Sequence, residues 1–244
     1  MTTDELLARA CPVIRDNGWA YYFVPETEAR GKELGLDLFQ FYCLGRGGVL
    51  GDVEPLVVSS AFGYFNPAVV EQLWNSAKAV IAPRDAARAH FECCAELGRS
   101  RLSGLEDLDS FCAAAQAVHD AADPVGLALY SGFKAEPLVE DLPGRAMQLM
   151  AVLREFRGSA HLLAIRASGL DAKTAHFIAR PNDVAMFGWS EDDPPVMGPA
   201  EVQAKESAES LTDQLVRPAY AVLDDAGADA VAAGVDRIAS ALAS

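Results

Sequence analysis

Apolar residues recur along this chain at helical spacing. Leu6, Leu7, Ala10 and Ile14 share one face of a helix predicted over residues 4–15, and Asn17-Gly18 supplies its stop. Pro25-Glu26-Thr27-Glu28 opens a second helix, because proline and acids suit a first turn; it ends near Gly35. Residues 37–44, Asp-Leu-Phe-Gln-Phe-Tyr-Cys-Leu, fit a strand by their aromatics and a buried helix by their length. A glycine-rich turn, Gly45 to Gly51, is expected next. Further helices are predicted over 54–65, over 67–81 entered through Asn66-Pro67, over 85–102 and over 106–122, with a short one over 125–133. The longest pattern covers 144–168, with Gly158 a candidate kink. Asp171 caps a short helix through Arg180, residues 182–189 are a candidate for another, 191–199 reads as irregular, and 200–223 and 227–242 close the chain. No stretch alternates apolar and polar residues long enough to demand a sheet. The expectation is an all-α, multi-helix bundle, organised as a helical domain over 1–143 and a C-terminal region over 144–244 closed by two long helices.

The helix over 144–168 carries chemistry as well as hydrophobicity. Met147, Met150, Arg154, Arg157 and His161 follow at steps of three and four, which aligns them in one stripe. Leu149, Val152, Leu153, Phe156, Ala160 and Leu163 take the other side, so the helix is expected to be buried. Buried cations need partners. Either acids on neighbouring helices pair with Arg154 and Arg157 while His161 is a hydrogen-bonded core residue, or the stripe lines a cavity for an anionic ligand, a task that suits the planar fork of arginine.

Composition narrows the classes of function. Of 244 residues, 51% are hydrophobic, enough for a sizeable core, and 35 acids against 20 Lys/Arg give a net charge of −15. Such a charge argues against a large phosphate-binding footprint and against an anionic membrane surface. No apolar run is long enough for a membrane span, and the N-terminal Met-Thr-Thr-Asp-Glu-Leu-Leu lacks the pattern of a secretory signal. Five cysteines, an odd count, do not form a disulfide scaffold; a cytoplasmic protein with reduced thiols is expected. Gly45, Gly47, Gly48 and Gly51 miss the dinucleotide fingerprint, which needs glycine where Leu50 stands. His90, Cys93 and Cys94 share a helix face but lack a second ligand pair, so no metal site is expected. No G-x-S-x-G elbow occurs, a haem reading on His161 or His90 alone is weak, and no motif names a cofactor.

Several motifs in fixed order carry a resemblance: Gly45-Arg46-x-x-x-Leu50-Gly51, Phe62-x-x-Phe65-Asn66-Pro67, Leu153-Arg154-Glu155-x-Arg157-Gly158-x-x-His161, Gly188-Trp189-Ser190 and Thr212-Asp213. Across roughly residues 20–242 the chain resembles an actinobacterial helix-turn-helix-like family of unknown function, loosely MarR-like. The resemblance implies a degenerate winged-helix-like C-terminal third and no established catalytic residue. The family's Arg-Glu-His-Arg-Gly-Asp-Gly-His stretch here reads Arg154-Glu155-Phe156-Arg157-Gly158-Ser159-Ala160-His161, which loses a histidine and an acid that a metal site would use. After Gly188-Trp189-Ser190 the chain runs almost at once into its penultimate helix, so the recognition helix and wing are expected to be shortened or lost. Residues 191–213 also hold seven acids against the single base Lys205, which argues against DNA as a partner.

These readings converge on a helix-turn-helix-like protein that holds a small acidic or polar organic ligand. Arg46, Arg154, Arg157, His161, Thr212 and Asp213 are the expected ligand-binding residues, with Phe39, Phe41, Phe62 and Phe65 as walls. Alternatives are an enzyme with His161 as general acid/base, oriented by Asp213, and a ligand-responsive transcription regulator. A homodimer would form through Leu211, Leu215, Val222, Val231, Val235, Ile238 and Leu242.

Overall fold

The computed structural model describes residues 1–243, which form α-helices and one 3-10 turn with no β-strand among them. The all-α expectation therefore holds, and the wing expected of a MarR-type unit has no counterpart among the described residues. Helix α1 (Thr3–Asn17) starts on a capping box, with Thr2 Oγ1 accepting from the Glu5 amide while the Glu5 carboxylate accepts from the Thr2 amide. Helix α2 (Pro25–Glu33) begins on its proline. The ambiguous segment 37–44 is helical: Asp37 and Gln40 form a second capping box at the head of α3 (Leu38–Gly47).

The expected glycine turn is not a turn. Gly45 and Gly47 lie inside α3, and Gly48–Leu50 continues as a 3-10 turn. These glycines serve close packing: a Cβ at Gly45 would lie 2.5 Å from His90 Cβ, and one at Gly48 would lie 2.0 Å from the Pro83 carbonyl oxygen. Helices α4 (Pro55–Phe62), α5 (Pro67–Lys78), α6 (Pro83–Leu102), α7 (Leu108–Ala121) and α8 (Ala128–Lys134) follow. Then come α9 (Leu142–Ala167), α10 (Ala172–Ala179), α11 (Pro199–Tyr220) and α12 (Asp225–Leu242).

Helix α9 runs unbroken through Gly158 and is the axis of the molecule, packed by α1, α6, α7, α8 and α11. Leu149, Val152, Leu153, Phe156 and Ala160 are buried as expected, whereas Leu163 is 44% exposed. At that end of α9, Ala164 and Ile165 face inward instead, into a small second core with Leu170, Ala175 and Ala208. The main core draws on residues from Leu6 to Ile238.

One further expectation is corrected. Residues 182–189 are not a helix but a run of turns (Met186 N–H to Asp183 O, Phe187 N–H to Val184 O, Gly188 N–H to Ala185 O), and the end of the run bonds to a distant segment: Phe187 O accepts from the Asn66 amide at 2.8 Å and Gly188 O from Asn66 Nδ2 at 2.9 Å. The expected dimer face is largely spent inside the chain. Val231, Val235 and Ile238 are fully buried, on a helix that packs against α1 and α7, and only Leu215 and Val222 of that set are exposed. No helix among the described residues is long and apolar enough to cross a membrane.

Candidate functional site

The stripe on α9 carries Arg154, Arg157 and His161. Its polar residues are paired with acids, and they line a cavity of about 350 Å³ bounded by α1, α3, α4, α8, α9, α10 and α11. Met147 and Met150 are fully buried in the core below it.

One end of the cavity is built around Glu155, which is 1% exposed. Arg46 reaches it from α3 as a fork, Nε to Oε1 at 3.0 Å and Nη2 to Oε2 at 2.9 Å. Arg154 Nη1 and the Tyr22 hydroxyl donate to Oε1 at 2.7 and 2.8 Å. Burial opposes ionisation of this carboxyl, but the Arg46 and Arg154 guanidiniums outweigh it and hold its pKa at about 2. Arg46 also stacks over the Phe62 ring at 4.5 Å.

The other end is built between α9 and α11. Arg157 Nη2 donates to Glu209 Oε2 at 3.0 Å and to Asp213 Oδ1 at 3.2 Å, and Lys205 Nζ bonds Glu209 Oε1. His161 Nδ1 lies 2.7 Å from Thr212 Oγ1. The Thr212 hydroxyl in turn donates to the Ala208 carbonyl at 2.6 Å. A hydroxyl has one proton to give, so the imidazole is the donor at Nδ1 and Nε2 is left as an acceptor. Glu209 Oε1 is 3.6 Å from that Nε2. Burial, assisted by Lys205 and Arg157, lowers the His161 pKa to about 4 against the pull of Glu209. His161 is therefore neutral at pH 7 and can accept a proton, but it has none on Nε2 to give.

The expected site residues divide accordingly. Arg46, Arg154, Arg157 and His161 line the cavity; Thr212 is fully buried behind His161 and orients it, a task expected of Asp213, which instead pairs with Arg157. Phe62 and Phe65 form walls with Tyr42, Tyr64 and Phe187. Phe41 is instead a core residue 5.1 Å from the His90 ring, and Phe39 is 47% exposed beside Phe23. Sequence reasoning missed Ser159, His176 and Arg180 as lining residues, and Lys205 and Glu209 as parts of the site. A signal existed for the last two, since Lys205, Glu209 and Asp213 recur every fourth residue on α11.

Two observations describe what the cavity can hold. Its lining has six Lys/Arg side chains (Arg15, Arg46, Arg154, Arg157, Arg180, Lys205) against three acids (Asp16, Glu155, Glu209), in a chain of net charge −15. Four polar atoms of lining residues, Arg154 Nε, Arg157 Nε, Ser159 Oγ and His176 Nε2, are sealed from solvent and have no hydrogen-bond partner among the described residues. No group of three or more metal-ligating side chains occurs among the described residues.

The roof joins two of the sequence motifs. Phe65 stacks on Phe187 with ring centroids 4.3 Å apart, and Trp189 Nε1 donates to the Tyr64 carbonyl at 2.8 Å. With the two Asn66 bonds, this straps residues 187–189 to the turn at 64–66.

Comparison with known proteins gives one match. No curated protein and no solved structure matches the chain. The model of a helix-turn-helix family matches residues 9–193, about three quarters of the sequence, a span that includes the cavity walls of α3, α4, α9 and α10 and both halves of the strap. The chain therefore belongs to that helix-turn-helix family.

Proposed function

We propose that this helix-turn-helix protein binds a small organic anion in the cavity along α9 and does not read DNA. The observation that carries the reading is the excess of cations in the cavity wall of an otherwise strongly acidic chain. Such a wall concentrates an anion where low-dielectric surroundings strengthen the attraction. The arginine side chains that line the cavity supply planar donors for ligand oxygens. The volume, about 350 Å³, suits a ligand of small-metabolite size.

Against DNA stand the seven acids and one base of residues 191–213, and Lys173, whose charge is already paired with Asp193. The strap holds residues 187–189, where a wing would begin, against the body of the protein. The same proposal places the protein in the cytoplasm, where all five free thiols stay reduced, and leaves Leu215 and Val222 as the exposed part of a homodimer face.

Native mass spectrometry of freshly purified protein, set against the denatured mass, tests the reading. A retained small mass lost on denaturation is expected. It should diminish in Arg157→Ala and His161→Ala, and binding unaffected by both would sink the site. Fluorescence anisotropy with labelled duplex DNA in low salt should show no saturable binding; salt-dependent saturation would reverse the exclusion of DNA.

A further inference from the structure

The two ends of the cavity differ in what they ask of a ligand. Near Glu155 the wall carries positive charge: the Arg46 and Arg154 guanidiniums line it, and Arg180, whose side chain makes no ion pair among the described residues, stands exposed at the same cavity. Near α11 the wall offers acceptors. The chain of hydrogen bonds from His161 through Thr212 to the Ala208 carbonyl fixes the imidazole proton on Nδ1. It leaves Nε2 bare, 3.6 Å from Glu209 Oε1. Glu209 Oε1 already accepts from Lys205, so Nε2 is the acceptor left without a donor, and a ligand donor placed against it would supply one.

We infer that the cavity selects an anion that also carries a hydroxyl, a hydroxy acid, with its acidic group at the Arg154–Ser159 end and its hydroxyl donated to His161 Nε2. A hydroxyl fits better than an ammonium as that donor. Arg157 and Lys205 already balance Glu209 and Asp213 there, and a further positive charge would enter a wall that is cationic in sum. The low pKa of His161, about 4, keeps Nε2 free to accept throughout the neutral range. This inference rests on the proposed anion site and adds the chemistry of its second contact.

The test uses the full chain and two matched pairs of probes, benzoate with 3-hydroxybenzoate and butyrate with 3-hydroxybutyrate, titrated by calorimetry at pH 7. In at least one pair the hydroxylated member should bind about tenfold more tightly, the worth of one well-made hydrogen bond to a charged site. In His161→Phe that preference, read as the ratio of the two affinities within a pair, should fall to within about twofold, and a preference that stays near tenfold would overturn the contact. Equal binding within both pairs would overturn the hydroxyl contact and leave the anion site standing. No binding of any of the four would overturn both readings. Nitrogen-15 NMR of imidazole-labelled protein without ligand adds a readout that does not depend on folding of a variant. It should report the Nδ1–H tautomer for His161, and Nε2–H would overturn the inference.

Discussion

Replacing Glu155 by glutamine removes the single negative charge that faces Arg46 and Arg154 while keeping the size of the side chain. The carboxylate accepts four hydrogen bonds and is 1% exposed. Its carboxyl titrates at about 2 rather than 4.5, which at 1.36 kcal/mol per tenfold is about 3 kcal/mol of stability at neutral pH. Breaking a buried pair by removing one partner costs about 3–5 kcal/mol in general, so both routes give the same size of effect. Because the folded pKa is lowered, the contribution is present above pH 4.5 and drains as the pH falls toward 2. About 1–2 kcal/mol of it is left at pH 3. Urea unfolding followed by circular dichroism should show Glu155→Gln destabilised by about 3 kcal/mol at pH 7, with the gap to wild type narrowing at pH 3. A deficit below about 1 kcal/mol at pH 7, or one of the same size at both pH values, would refute the reasoning.

Three further outcomes follow from the same geometry. All four histidines are held below 6.5, chiefly by burial, with His90 at about 3 and His161 at about 4. Stability should therefore fall as the pH drops below 6.5, and His90→Phe should flatten that slope; an unchanged slope would show that His90 does not contribute to it. Gly48→Ala should cost about 1–3 kcal/mol in urea unfolding, because its methyl meets the Pro83 backbone oxygen and neither backbone can yield cheaply; a neutral result would contradict the close approach of α3 and α6. Trp189→Phe removes the bond to Tyr64 O, so the Asn66 amide should exchange hydrogen faster than amides of α9, and equal protection would mean that the strap is not held there.

The helices and the stripe were legible because both depend on local spacing. What tertiary packing decides was not. The Gly45–Gly51 segment reads as a turn by composition, yet close contact with His90 and Pro83 draws its glycines into helix. The ambiguity at 37–44 had a local solution, since Asp37 followed three residues later by Gln40 is a capping pattern. Arg154, Arg157 and His161 could be placed on one face, but the ion partner of Arg46 lies 109 residues away and sits on the stripe helix itself. The acids of α11 were legible as charge and were set against phosphate, while their role as partners of Arg157 and Lys205 required knowing that α11 lies on α9. Val231, Val235 and Ile238 suited helix packing, and sequence cannot say whether the partner helix belongs to the same chain.

The strap between residues 64–66 and 187–189 bears on when the site comes into being. The Asn66–Gly188 bond spans 122 residues, and the cavity wall runs from Arg15 on the first helix to Glu209 on the penultimate one. Contacts of such high sequence separation form only after long loops have closed, so the cavity should be among the last features to assemble during folding. During synthesis it cannot exist until α11 has emerged. A ligand that needs all of these walls binds only the completed native state and would slow unfolding without speeding folding.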